Sequence, residues 1–543
     1  MLSFSRVDIS SFISSGISGV AVLDRTNLSN ILHSASGTLE FLKGVDTSHL
    51  VAYGAGAVAV HYVVSSFATW QPLRHVPGPF LGSFSYLWLI RNNFLGISSA
   101  QLVGLKKYGS VVHVAPNYVL TDDPAALRRI SGARSAYGRD AWWTALRIDP
   151  RQDNMLTTTD TAAHDRLKAQ TSMAYSGRDN VDIEGGIDIQ LAKLKDTIRQ
   201  HYLSTPTEMR KADLVWIIRY FTMDSITFLA YGEPFGYLKA NEDLFGFNRQ
   251  VQNFTKPMSI VVDTPILRNF VKSPLAPHFM PKTTDKEGMG RPIALGQEFV
   301  GSHFDTDFKD AKGMVGSFMR HGLTREQCEA ECVVQVIAGA DTTGTTIRSA
   351  LMLVTSTPRV YSRFVEEIKS AVDSGLVSSS TTITYEQGKK LPYLQAVIYE
   401  AIRVRPPGLY YGHFKSVPPG GDTVDGVFLP GSTAISRSLI GMMMSTEIFG
   451  SDAEIFRPER FLEVDAAKRV ELERVVELAF GHGRWMCAGK HVAFTQLTKA
   501  IFELLRAFEF QTICPSKPWK EESGIFWNQT DMLVRITERR QDL

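Results

Sequence analysis

The chain has 543 residues, 44% hydrophobic and 21% charged, the balance of an ordinary globular protein with ample apolar material for a core. A formal net charge of +2 gives no electrostatic reason for a nucleic-acid partner. Four cysteines, Cys328, Cys332, Cys487 and Cys514, are too few for a disulfide framework and lack both a CxxC pair and zinc spacing, so the body reads as residing in a reducing compartment.

There is no internal repeat and no long low-complexity linker, which points to one large domain with an N-terminal appendage. Residues 1–48 are rich in Ser and Gly without a clear period and form an N-terminal extension of no assigned role. From Leu50 to Trp70 no formal charge occurs, and roughly 20 residues at about 1.5 Å each would reach across a hydrocarbon core. A transmembrane anchor over 49–70 is expected, with a buried helix of the soluble body as the alternative. His75-Val76-Pro77-Gly78-Pro79-Phe80 follows, where two prolines forbid helix, so 71–80 reads as a stiff hinge before a body of residues 81–543.

Ala162 to Tyr175 reads as a helix with His164 and Lys168 four apart on one face, either a ligand-facing pair or a plain exposed surface. Residues 185–320 alternate helical segments, Leu214–Tyr231 among them, with loops, and no site residue is read there. Thr324-Arg325-Glu326-Gln327 has capping-box spacing and opens an apolar helix that runs toward Thr357 and stops before Pro358.

Within that helix, Ala338-Gly339-Ala340-Asp341-Thr342-Thr343-Gly344 is a poor way to build a plain core helix. Each glycine costs about 1 kcal/mol relative to Ala, and the threonines compete for backbone hydrogen bonds. Such a cost is acceptable where a ligand must approach the backbone and where an acid, Asp341, stands beside an alcohol, Thr342.

Leu391 to Arg403 forms a further helix with Glu400 and Arg403 on one face, ended by Pro406-Pro407, and Phe456-Arg457-Pro458-Glu459-Arg460-Phe461 comes some way later. Between them, Lys415 is either an anion partner or a surface residue. Last comes Phe480-Gly481-His482-Gly483-Arg484-Trp485-Met486-Cys487-Ala488-Gly489, a glycine-rich turn ahead of a helix from Lys490 to about Phe508. A sulfur just before a helix meets free amides and the positive dipole end, which favours thiolate. The plainer alternative is a small buried residue in a turn.

Phe480, Gly483, Cys487 and Gly489 resemble the heme-ligand loop of the cytochrome P450 family, with Trp485 in the family's Arg position and Arg484 one place earlier. Ala338–Thr343 resembles its oxygen-activation segment, while Glu400-x-x-Arg403 and Pro458–Phe461 resemble its two scaffold motifs. The stretch from Tyr137 to Gly177 is similar to the pisatin-demethylase-like group of fungal enzymes.

The resemblance implies a mainly α fold with a small β region, the cytochrome P450 fold, behind an N-terminal transmembrane helix. It implies heme (iron protoporphyrin IX) ligated through iron by Cys487, with Phe480, Trp485, His164 and Lys168 around the cofactor. Thr342 would bind oxygen and a water, and Asp341 would relay protons. Glu400, Arg403 and Arg460 would form a buried structural cluster.

The function implied is a heme-thiolate monooxygenase that hydroxylates or otherwise oxidises a hydrophobic small molecule, in secondary-metabolite biosynthesis. With no flavin or iron–sulfur domain visible, electrons would come from a separate NADPH-cytochrome P450 reductase. The expected location is the endoplasmic reticulum membrane, single-pass, with the catalytic domain cytosolic. Desaturation or ring formation, and heme binding without turnover, stay open as alternatives.

Overall fold

The computed structural model describes residues 47–149, 152–179, 181–271, 273–285, 290–305, 311–524 and 526–539, so most of the expected N-terminal extension lies outside the described residues. The chain forms two compact units, residues 1–68 and 69–543. What is described of the first is helix α1, Thr47–Trp70, which runs on past the boundary. Tyr53, Val60, Val63 and Phe67 on it are exposed.

The expected transmembrane anchor needs correction. The segment is helical, but no helix among the described residues is long and apolar enough to cross a membrane. Gly54, Gly56, His61, Ser65 and Ser66 dilute its hydropathy below what a span requires.

The second unit is mostly helical, and its long central helix carries the site. The helices that build the site are α2 (Leu87–Leu95), α3 (Thr161–Tyr175), α4 (Leu214–Tyr231), α5 (Phe247–Asp263), α6 (Pro265–Val271), α7 (Arg325–Thr355), α8 (Pro392–Val404) and α9 (Lys490–Ala507). The central one, α7, is 31 residues long and starts at a reciprocal capping box between Thr324 and Gln327. It packs against α4, α8 and α9, so it is covered on several sides, which explains an apolar composition around most of its circumference. Cys328 and Cys332 are buried on it, as their spacing suggests.

A five-stranded sheet brings together β1 (Val111–Ala115), β2 (Tyr118–Thr121), β3 (Gly138–Arg139), β4 (Lys415–Ser416) and β5 (Ala434–Arg437), in the order β1-β2-β5-β4-β3. β2 and β5 are parallel, while β4 is antiparallel to both β5 and β3. The register pairs Arg139 with Lys415, and Lys415 with Ile435. A separate sheet joins Lys211–Asp213, Leu533–Glu538 and Phe508–Thr512.

The Pro-rich hinge is no free elbow. Val76 is buried, the His113 amide donates to the Pro77 carbonyl at 2.8 Å, and a Cβ at Gly78 would lie 2.0 Å from the His113 carbonyl oxygen. Glycine is required there by close approach to β1.

The two scaffold motifs meet in the core. Glu400 takes a two-pronged ion pair from Arg403, with Nε and Nη2 at 2.7 and 2.8 Å, and a second guanidinium from Arg460 at 3.0 and 3.1 Å. Arg403 also donates to the carbonyls of Met443, Ala453 and Ile455, so every face of this buried charge is used. The Phe449 carbonyl and Asp452 accept from Arg460 in the same way.

Candidate active site

The loop before α9 is shaped by glycine. Gly481 and Gly483 adopt φ of +78° and +61°, and a Cβ at Gly483 would sit 2.2 Å from the Ser131 carbonyl oxygen. The Cys487 amide donates to the Phe480 carbonyl at 2.8 Å, closing the turn, and the Phe480 ring packs on Phe494 of α9. Cys487 is exposed and opens onto a cavity of about 530 Å³ lined by Lys168, Tyr175, Tyr399, Met486 and Phe494.

Two opposing influences act on the thiol's acidity. Burial pushes the Cys487 pKa up, against the pull of the Gly489 and Lys490 amides and of Lys168 and Arg437. The amides and cations favour the thiolate expected from the helix dipole, and a cation bound to the sulfur would add to them.

His164 and Lys168 do share a face of α3, and both reach the loop. The His164 ring lies 4.0 Å from the Trp485 ring, and burial lowers its pKa to about 4, so it stays neutral. Lys168 Nζ donates to the carbonyls of Arg484 and Met486 at 2.6 and 2.9 Å. Lys168 thus clamps the loop on either side of Trp485.

Trp485 is buried, with the Lys415 Nζ and the Arg139 guanidinium each 4.2 Å from its ring centre. Arg484 turns away, donating to the Ala133 carbonyl at 2.9 Å and lying 3.3 Å from Asp165. Positive charge at this site comes from the sheet and not from the loop.

Of those sheet cations the sequence singled out Lys415, and Arg139 and Arg437 were missed. Arg139 and Lys415 face each other across β3 and β4, and Arg437 lies two residues along β5 from the partner of Lys415. All three are buried. Lys415 Nζ, Arg139 Nε and Arg437 Nε have no hydrogen-bond partner among the described residues.

Burial lowers the pKa of Lys415 to about 5, with Arg139 adding repulsion, and it lowers Arg139 and Arg437 each to about 9. Like charges opposite each other in a sheet are unfavourable unless an anion joins them. The surface alternative for Lys415 is excluded by its burial. For Arg139 and Arg437 the hint in the sequence was a charged residue inside a short strand.

On α7, residues 337–342 are the least covered part of the helix interior, with Ala338 exposed, Thr342 half-buried and Ala340 buried, between long buried runs. Thr342 Oγ1 donates to the Ala338 carbonyl at 2.8 Å. Asp341 points elsewhere, accepting from Arg219 of α4 at 2.7 Å with Arg348 at 3.6 Å. Burial would raise its pKa, but the two guanidinium groups outweigh that and hold it below the usual carboxylate value. Arg219 also escaped the reading of the sequence, because its contact joins positions 122 apart in the chain, and Arg348 did so although it stands seven residues from Asp341 on the same helix.

The chain matches the Cytochrome P450 family profile over residues 103–535.

It belongs to the cytochrome P450 family.

Among its relatives, this P450 is 42% identical over 497 residues to the cytochrome P450 monooxygenase ABA1 of Pyricularia oryzae (strain 70-15), covering 90% of this chain and 96% of that one. It is 45% identical over 473 residues to the cytochrome P450 monooxygenase aba1 of Botryotinia fuckeliana (strain B05.10), covering 86% and 92%. The pisatin demethylase of Fusarium vanettenii is 26% identical over 474 residues, covering 86% of this chain and 88% of that one. The crystal structure of the cytochrome P450DA heme domain superposes with a TM-score of 0.64 at 14% identity, covering 81% and 92%.

The protein is a cytochrome P450 monooxygenase, and heme is its cofactor. The residues present fit that group. Heme takes a soft sulfur ligand, buried cations for its two carboxylates and open space beside a proton-carrying side chain. Cys487, the trio of Arg139, Lys415 and Arg437, and the open Ala338–Thr342 face supply these in turn.

Proposed function

We propose that this P450 inserts oxygen into a hydrophobic small molecule of secondary metabolism, with electrons from a separate NADPH-cytochrome P450 reductase. The observation that carries the reading is the open Ala338–Thr342 face on a helix otherwise buried along its interior. An alcohol next to an ionised acid at an opening in that burial suits proton delivery to a reacting centre.

Bound heme, ligated by Cys487, supplies the activation of dioxygen. Arg139, Lys415 and Arg437 hold its carboxylates, His164 and Trp485 pack beside them, Lys168 fixes the loop carbonyls, and Phe480 seats the loop against α9. Thr342 would exchange its bond to Ala338 for one to a bound water, and Asp341, held ionised by its two arginines, would relay protons from solvent.

The proposed location is the endoplasmic reticulum membrane, with the body on the cytosolic side where the reductase works. The exposed apolar side chains of α1 support attachment there.

The test is a reconstitution with reductase, NADPH and a panel of hydrophobic candidates. Product formed in step with NADPH consumption, and lost with peroxide release in Thr342→Ala, is the expected result. Equal coupling in parent and variant would remove Thr342 from the chemistry.

A further inference from the structure

Nearer the start of α7, upstream of Asp341, the helix carries a carboxyl that the mechanism leaves unused. Glu331 is 1% exposed, set among the buried Ala330, Cys332 and Val333. Its Oε1 accepts the backbone amide of Met155, and its Oε2 has no hydrogen-bond partner among the described residues. Burying a carboxyl with one oxygen unpaired is costly, and an apolar side chain would fill the same place at less cost. The bond to Met155 is what sets Glu331 apart from such a residue.

Met155 belongs to a turn whose carbonyls face a cation of the sheet. Arg139 Nη1 donates to the carbonyls of Met155, Leu156 and Thr158 at 2.8, 2.8 and 3.0 Å. Met155 thus gives its N–H to Glu331 and its carbonyl to Arg139. The turn is tied to itself by buried side chains: Asn154 Oδ1 accepts from the amides of Leu156 and Thr157 at 3.0 and 3.1 Å, and Thr157 Oγ1 donates to Asp153 at 2.9 Å. Arg147 adds a two-pronged pair to Asp153 at 3.0 and 2.6 Å.

These local bonds give the turn its shape but do not decide where it sits. Glu331 ties it to α7, and Thr171 Oγ1 of α3 meets the Met155 sulfur at 3.9 Å. Neutral carbonyls orient a guanidinium without cancelling its charge. Arg139 Nε is left without a partner and the guanidinium lies on the Trp485 ring, so its charge stays available to an anion.

We propose that Glu331 is a positioning residue for heme binding: by holding the Met155 amide it places the turn whose three carbonyls aim Arg139. The inference rests on the reading that Arg139 holds a heme carboxylate. Glu331 acts on Arg139 through the Met155 peptide, so an acceptor oxygen is what the position requires. Burial pushes the Glu331 carboxyl up to about 7, and Gln reproduces its neutral form with an oxygen able to accept the same amide.

The test follows transfer of heme from the heme-loaded full chain to excess apomyoglobin. Glu331→Met, similar in length but without a comparable acceptor, should lose heme about tenfold faster, while Glu331→Gln should stay within about twofold of the parent. Arg139→Leu should itself lose heme faster by about tenfold or more, and Glu331→Met should add nothing in that background, because both act through one turn. Should Glu331→Met fail to fold, Glu331→Ala removes the same acceptor and should show the same loss. Additive effects of the two changes, a Glu331→Gln as fast as Glu331→Met, or a Glu331→Met as slow as the parent would each overturn the positioning role. An Arg139→Leu protein that keeps heme as well as the parent would overturn the carboxylate reading beneath it, and the positioning role with it.

Discussion

Arg139 and Lys415 stand residue-for-residue opposite each other on antiparallel strands, both buried, with no counter-charge among the described side chains beside them. Two cations in that relationship would destabilise a fold unless something negative joins them, a role we propose for the heme carboxylates.

Replacement of Lys415 by Met should therefore act in opposite directions with and without cofactor. Folding the heme-free chain must strip a proton from Lys415, whose pKa falls to about 5, and that penalty grows as pH drops from the free lysine value toward 5. Thermal unfolding of heme-free Lys415→Met at neutral pH should show a gain of about 1–4 kcal/mol, while hemin titration should show weaker binding by about tenfold or more. A loss of stability in the heme-free variant would place a counter-ion beside Lys415.

Arg219 holds Asp341 ionised, which has a signature in pH-dependent stability. A carboxyl with a depressed folded pKa stabilises the fold above its unfolded pKa and loses that contribution as pH falls through the lower folded value. Arg219→Leu should thus be less stable than the parent at pH 7, with the gap closing as pH drops below about 4. Melting temperatures across pH 3–7 check this, and a pH-independent gap would assign Arg219 a packing role only.

Glu400 carries two guanidinium groups at once. Glu400→Gln leaves buried charge uncompensated and should cost about 3–5 kcal/mol, seen as a fall in melting temperature and in heme content. Arg460→Lys should lose most of the same energy, because an ammonium cannot reproduce the guanidinium's bonds to Glu400, Asp452 and Phe449.

Cys487→Ser should abolish the strongly red-shifted carbon monoxide band of the reduced protein. A parent that binds heme without that band would mean a thiol kept protonated by its burial.

Much of this protein is written in local patterns. The capping box at Thr324 fixes where α7 starts, and Leu214–Tyr231 is apolar enough to read as a helix with the same bounds the structure has. The loop from Phe480 to Gly489 needs glycine at 481 and 483 for reasons of backbone conformation, so its turn and its cysteine are visible in the residues themselves. Glu400 and Arg403 are three apart on one helix, and their pairing follows from helical geometry.

Charge and exposure were decided only in three dimensions. Asp341 is ionised because α4 brings Arg219 to it from 122 positions away, and Lys415 loses its proton because strand register sets it against Arg139 in a buried layer. The Cys487 thiol is pushed up although its helix dipole argues the reverse, because desolvation depends on what encloses the sulfur. Backbone preference is a property of neighbours in sequence, whereas dielectric and ion pairing belong to neighbours in space, and those exist only once the chain has folded.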